Sequence, residues 1–298
     1  MILLDRLDFA ILKALLVNNG VPPGVPVLRK SFRSMARDLK VDQATVRARM
    51  KRFQANRVLR GWTLGVNPGI RGQHVGQVWL GVKETEKGDV TGALLSMNEV
   101  ERVCNYFGPV LSFVFLFDEG ADSKPITEHL LRNLRPKITM LREGAIPVPR
   151  LDLKDTDASI VRSLGADPWK PYLRVAEEVR TSSRTVARRV AKMSEQGAIY
   201  MLPVVDLKAL KGIIPAELVV EYSSSKSKGA ANEQIASHIG HNLVFSDISG
   251  PYGYFALLVE NLSQLEQIAE WSRKAEGVRG TRIAALQDVI LSRKYHLS

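Results

Sequence analysis

The sequence predicts an α+β chain built twice over: two winged helix-turn-helix domains, each followed by a ferredoxin-like βαββαβ domain. Three observations carry that prediction. Residues 41–62, VDQATVRARMKRFQANRVLRGW, recur as residues 181–202, TSSRTVARRVAKMSEQGAIYML, at a constant shift of 140 positions without a gap. In each copy a helical apolar period gives way to short β-type runs. Further on, NYFGPVLSFVFLF (105–117) matches DISGPYGYFALLV (247–259), with Gly108 on Gly250 and Pro109 on Pro251, each just ahead of a β-type run.

The elements follow in order. Phe9, Ile11, Leu12, Leu15 and Leu16 mark a first helix, matched in the second copy by DTDASIVRSLG (155–165). The connection NNGVPPGVPVLRK (18–30) is rich in Gly and Pro and reads as a surface loop. Phe32, Met35, Ala36 and Leu39 mark a second helix, and Lys40–Asp42 a tight turn. Asp42 is the predicted N-cap of a third helix over 43–55, on which Val46, Met50 and Phe53 form one buried stripe. In the second copy Ser182 is the predicted cap and Val186, Val190 and Met193 the stripe. VLRGWTLGV (58–66) and AIYMLPVVD (198–206) each suit a wing or small hairpin, which completes a winged helix-turn-helix. The remainder of each copy reads β-α-β-β-α-β, the order of a ferredoxin-like sheet with two helices on one face. The predicted domains are therefore 1–68 (winged helix), 69–149 (ferredoxin-like), 150–209 (winged helix) and 210–298 (ferredoxin-like). The internal boundary falls near PVPRLDLKD (147–155), where two prolines precede a fresh helical pattern.

Bulk properties narrow the function. One cysteine, Cys104, excludes an intrachain disulfide and a four-cysteine zinc site. The opening MILLDRLDFAILKALL lacks the basic head and cleavage site of a signal peptide, and no apolar run approaches the roughly 18 residues of a membrane span. A cytoplasmic protein without membrane contact is expected. The net charge of +11 is unevenly placed: residues 1–65 hold 13 basic and 4 acidic residues, while the rest of the chain is close to neutral. A basic unit on a neutral body points to an anionic polymer partner.

At this point the sequence resembles the Lrp/AsnC (feast/famine) transcriptional regulators. Their opening pattern, Leu-Asp, two residues, Asp, then Ile-Leu, is matched by LDRLDFAIL (4–12) and more loosely by LDLKDTDASIV (151–161). Their Thr-Val helix followed by a wing entry is matched by TVRARM…NRVLRGW and TVARRV…EQGAIYML. The glycine near the third strand is matched by Gly108 and Gly250, and the closing strand by VRGTRI (278–283). The resemblance covers the chain twice, as a tandem duplication. It implies a sequence-specific DNA-binding regulator of transcription, not an enzyme and with no cofactor. It also implies double-stranded DNA as partner, the ferredoxin-like domains as the place for a small-molecule effector, and a pseudo-dimeric monomer or homodimer. Family effector sites carry an acidic residue where GPYGYF (250–255) has Gly253.

The expected DNA-binding residues follow from the exposed face of each third helix, since a helix fits the major groove while Arg and Lys meet base edges and phosphates. In copy one, Gln43, Arg47 and Lys51 are the base-reading candidates, beside Thr45, and Arg49, Arg52, Arg57 and Arg60 meet phosphate. In copy two they are Ser183, Arg184, Arg188, Arg189 and Lys192. A structural alternative for Arg49 and Arg189 is pairing with a neighbouring carboxylate. Two other functions are compatible with the sequence. One is an architectural protein bridging DNA and other factors. The other is catalysis, because the fold resembles the siroheme decarboxylases, which pair two such units. Their motif sets a His before an Asn-Tyr pair, whereas CNYFG (104–108) has Cys104 there. The histidines, His74, His129, His238, His241 and His296, are scattered; only His238 and His241 are close, at a helix end where solvated capping is expected. No catalytic and no metal-ligating set emerges from the sequence.

Overall fold

The structure, a computed structural model, describes residues 4–16, 31–134, 136–144, 151, 153–224 and 226–292. The Gly/Pro-rich connection 18–30, most of the 147–155 boundary and His296 lie outside the described residues. In chain order the first copy holds α1 (Arg6–Leu16), α2 (Phe32–Leu39), α3 (Gln43–Ala55), β1 (Leu59–Val66), β2 (Gln73–Gly81), α4 (Lys87–Ser96), β3 (Val100–Tyr106), β4 (Val110–Asp118), α5 (Ser123–Leu131) and β5 (Lys137–Gly144). The second holds α6 (Asp155–Ala166), α7 (Tyr172–Glu178), α8 (Ser183–Glu195), β6 (Ile199–Val205), β7 (Ile214–Tyr222), α9 (Lys228–Ile239), β8 (Leu243–Ser249), β9 (Tyr252–Val259), α10 (Leu262–Lys274) and β10 (Val278–Leu291). The fold is thus two winged helices, each followed by a βαββαβ unit. The elements sort into two compact units, each taking segments from both copies: a helical unit from the described residues of Arg6–Arg71 and Ile146–Asp206, and a sheet unit from those of Gly72–Ala145 and Leu207–Ser292.

In the helical unit the apolar stripes are core. Val46 and Phe53 are wholly buried with Met50 close behind, and Val186, Val190 and Met193 repeat the pattern. The turn between second and third helices is built identically twice, with Lys40 and Arg180 both left-handed at φ 54°. Val41 and Thr181 then donate back to Ala36 and Ala176, each at 3.0 Å, which satisfies an orphan carbonyl of the preceding helix. Ser182 caps α8 by accepting from the Thr185 amide, as expected, whereas Asp42 occupies the cap position of α3 without a side-chain cap bond. The expected wing hairpins do not form: β1 pairs antiparallel with β6 of the other copy, Gly65 opposite Tyr200 and Val66 opposite Ile199. Each copy supplies one strand, so a ladder needs the other copy. Gly65 leaves room for the Tyr200 ring, which a Cβ would meet at 2.1 Å. Asn67 ties the copies further, donating from its side chain to Gly197 O at 3.0 Å.

In the sheet unit the strands run β5-β2-β4-β3-β10-β7-β9-β8. Each half keeps the ferredoxin-like order, with its fourth strand, first, third and second in succession, and β3 joins β10. Strand alternation divides the side chains between two faces. Val78, Leu80, Leu111, Phe113 and Phe115 pack under α4 and α5 residues Leu94, Leu130 and Leu131. Leu218, Val220, Phe255, Leu257 and Val259 pack under Ile235, Ile239, Leu265 and Ile268 of α9 and α10. The opposite face gathers Trp79, Cys104, Tyr106, Met140 and Val219 from both copies, with Tyr252, Tyr254, Ala284, Leu286 and Val289 against them. On β10 the parity changes between Leu286 and Val289 because the pairing with β3 shifts register between Leu286 and Asp288, so both halves of the strand feed this face.

Candidate functional site

The two third helices present part of what the sequence suggested. Gln43, Arg47 and Lys51 are exposed on α3 with Thr45 half-buried, and Ser183, Arg184, Arg188 and Lys192 are exposed on α8. Three of the other arginines are drawn inward by carboxylates. Arg49 donates to the buried Asp8 at 3.0 Å, and Arg52 donates to the second oxygen of the same carboxylate. Arg189 donates to both oxygens of Asp157 at 2.9 Å. Arg60 pairs with Asp206 at the end of the β1–β6 ribbon. Arg57 is exposed and left-handed at φ 58°, ending α3. Arg49 and Arg189 thus make the alternative carboxylate pairing, and Arg52 and Arg60, expected on phosphate, also pair with carboxylates.

The chemistry-bearing cluster lies elsewhere, on the sheet face turned away from the helices. Glu217 stands at the middle of β7 at 5% exposure. Its two oxygens each accept a phenol: Tyr106 Oη donates to Oε2 and Tyr254 Oη to Oε1, both at 2.5 Å. Tyr106 Oη also lies 2.9 Å from Ser112 Oγ. Arg142 of β5, 8% exposed, pairs with Asp247 of β8, lies 5.1 Å from the Tyr254 ring centroid, and keeps its buried Nε without a partner. A guanidinium with an unused buried N–H is a ready carboxylate receptor.

Burial and proximity tune these groups. Burial raises the Glu217 carboxyl above the ordinary carboxylate value, opposed by the two tyrosine hydrogen bonds and the nearby Arg102 charge. Burial first, and the Glu217 charge second, hold the Tyr106 and Tyr254 phenols well above their ordinary value. Cys104 is pushed up to about 11 by burial and then by Glu217, so it is a neutral thiol. Burial lowers Arg142, which still stays a cation.

Sequence reasoning singled out Cys104 and the GPYGYF run but missed Glu217, Tyr254, Tyr106 and Arg142. The available signal was a glutamate inside an apolar strand, PAELVVEY (215–222), followed by a tyrosine on the facing side of β9. Gly253, where the resemblance sets an acidic residue, faces the other way: a Cβ there would meet Tyr222 Oη at 2.3 Å, and that hydroxyl donates to Asn232 Oδ1 at 2.8 Å. His238, expected as a solvated cap, stacks flat on Trp271 with ring centroids 3.7 Å apart. Among the described residues no group of three or more His, Cys, Asp or Glu side chains could hold a metal ion, and no helix is long and apolar enough to cross a membrane.

No family model matches the chain, and no curated protein matches it. Two solved structures of the siroheme decarboxylase NirDL do match, each over 97% of this chain and 96% of its own with a TM-score of 0.56. One is the complex with an iron-uroporphyrin III analogue, at 10% identity; the other is NirDL alone, at 11%. Escherichia coli AsnC matches 47% of this chain and 93% of its own, at 17% identity and a TM-score of 0.36. At such identities the likeness to NirDL is one of fold. It corrects the expectation of a non-enzymatic transcriptional regulator: the architecture running through both copies, winged helices and paired sheets together, is one that an enzyme, siroheme decarboxylase NirDL, uses along its whole length.

Proposed function

We propose that this chain is a tetrapyrrole enzyme of the siroheme decarboxylase kind, acting on carboxylate side chains of the macrocycle at the face of its sheet opposite α4, α5, α9 and α10. The observation that carries the proposal is the correspondence in fold with NirDL across both copies. The chain's own residues supply the chemistry. Loss of carbon dioxide from a side-chain acetate breaks one carbon–carbon bond, leaves its electron pair on the carbon, and needs one proton to give a methyl group. No oxidant or reductant is consumed. Such a site requires a cation for the carboxylates and a proton donor in a dry setting. Arg142, with its unpaired Nε, suits the first role, with Arg102 close by. The phenols of Tyr106 and Tyr254 remain protonated across the neutral range and suit the second.

The repeat at 140 positions then records a tandem duplication that fused two units descended from an Lrp/AsnC-like ancestor, after which the copies diverged. Arg142 and Tyr106 come from the first copy and Glu217 and Tyr254 from the second, so neither copy alone holds the cluster.

The test is an anaerobic absorption titration with iron-uroporphyrin III, followed by incubation with siroheme and measurement of released carbon dioxide and product mass. Saturable spectral change with carbon dioxide release supports the reading. Absence of both at micromolar protein overturns it.

A further inference from the structure

Strand register sets the two copies side by side. Val78 pairs with Phe113 in the first and Leu218 with Phe255 in the second, so Gln77 occupies in copy one the place of Glu217 in copy two. By the same match Ser112 stands where Tyr254 does. The fold therefore accepts a neutral amide at this position, yet copy two buries a carboxyl there and surrounds it with two phenols. Removing a carboxylate from water is unfavourable unless its partners compensate, and burial is the largest influence on this one. The groups facing it are Tyr254 on β9, Tyr106, Cys104 and Arg102 on β3, Trp79 on β2 and Arg142 on β5, the last tied to Asp247 of β8, while β10 sets Ala284 opposite.

Resting on the decarboxylase reading, we propose that Glu217 is a positioning residue that holds a proton between Tyr106 and Tyr254 and so frees the Tyr254 hydroxyl to deliver one to the reacting carbon. An ionised Glu217 takes the O–H of both tyrosines. Once protonated it donates to one phenol oxygen and accepts from the other, which releases one O–H. Tyr254 is the phenol released, because it is half-buried whereas Tyr106 is wholly buried and shared with Ser112. In the step itself the Tyr254 proton passes to the carbon that has lost carbon dioxide. Glu217 returns a proton to the Tyr254 oxygen, and solvent reprotonates Glu217 before the next turnover.

The test uses the full chain as Glu217→Gln and Tyr254→Phe, with iron-uroporphyrin III binding by absorption and carbon dioxide release from siroheme across a pH series. Because Gln77 fills the matched position in copy one, Glu217→Gln is expected to fold. Both variants should bind the macrocycle within about threefold of the parent while kcat falls about 100-fold, and Glu217→Gln should lose the parent's decline at high pH. A Glu217→Gln protein with the parent's kcat and pH profile overturns the inference while the decarboxylase reading stands. A parent that releases no carbon dioxide overturns the decarboxylase reading itself, and the proton-delivery role with it. Infrared difference spectra of the ligand-free parent supply a second readout: a buried protonated-carboxyl band absent from Glu217→Gln supports the proton-holding state, and its absence from the parent overturns it.

Discussion

Arg189 Nη1 donates to both carboxylate oxygens of Asp157, at 2.9 Å each, linking the first and third helices of the second winged helix. Asp157 also accepts from the Lys154 amide at 3.0 Å, closing the N-terminus of α6. The carboxylate is 4% exposed. Removing one partner of a buried pair leaves the other charge uncompensated. Asp157→Ala should therefore destabilise the protein by about 3 kcal/mol in denaturant unfolding. Replacing the exposed Arg188 by Ala should change stability by less than about 0.5 kcal/mol.

Glu217 makes stability depend on pH in a defined direction. Its folded-state pKa lies above the ordinary 4.5, with burial the leading cause. The folded chain therefore binds this proton more readily than the unfolded chain. Its contribution is fully present below the unfolded pKa and is lost as pH rises through the folded value. Denaturation midpoints should fall as pH climbs from about 4.5 through that window, and Glu217→Gln should flatten the slope. A slope unchanged by the substitution would assign the dependence to another group.

Much of the fold was legible in the residues. Val46, Met50, Phe53 and their counterparts Val186, Val190 and Met193 announced the buried faces of α3 and α8 by spacing alone, and α3 begins and ends where the pattern does. Less visible was anything set by contacts between distant segments. A strand's alternation says which residues share a face but not which strand lies beside it, so β1 and β6 read as separate wings. Helix periodicity placed Arg52 on an outward face, yet the crossing of α1 carries Asp8 to it from 44 positions away. The Glu217 cluster was hidden for the same reason: Tyr106 lies 111 positions from the carboxylate it serves. The proposed function was harder still to read, because the basic third helices carry the residue pattern of DNA binding and nothing in strand alternation marks Glu217.

Cys104 gives a simple solution probe of the sheet face. It is 4% exposed, and its thiol is pushed up to about 11 by burial and then by Glu217. Thiolate is the reactive form, so both access and ionisation oppose modification. Native protein at neutral pH should resist a disulfide-exchange reagent, while unfolded protein should release one equivalent, matching the single cysteine. Rapid labelling of the native thiol would mean that the face opens on the timescale of the assay. Saturating iron-uroporphyrin III should slow any residual labelling if the macrocycle covers this face.

The two copies supply a control for backbone strain. Helix α3 ends through Arg57 at φ 58° and α8 through Gly197 at φ 69°, with the next residues, Val58 and Ala198, each donating at 2.8 Å to the carbonyls of Phe53 and Met193. The geometry is the same, but only one copy uses the residue that adopts it without steric penalty. A side chain in the left-handed region costs about 1–2 kcal/mol, partly offset because Gly surrenders more backbone entropy on folding than any other residue. Arg57→Gly should therefore stabilise the protein by up to about 1 kcal/mol, and Gly197→Ala should destabilise it by about 1 kcal/mol or more, since Gly197 is also buried. Paired denaturation curves decide it. If Arg57→Gly destabilises instead, the arginine side chain stabilises the end of α3 by more than the strain it imposes, and the two helix ends have diverged in energetics while keeping one geometry.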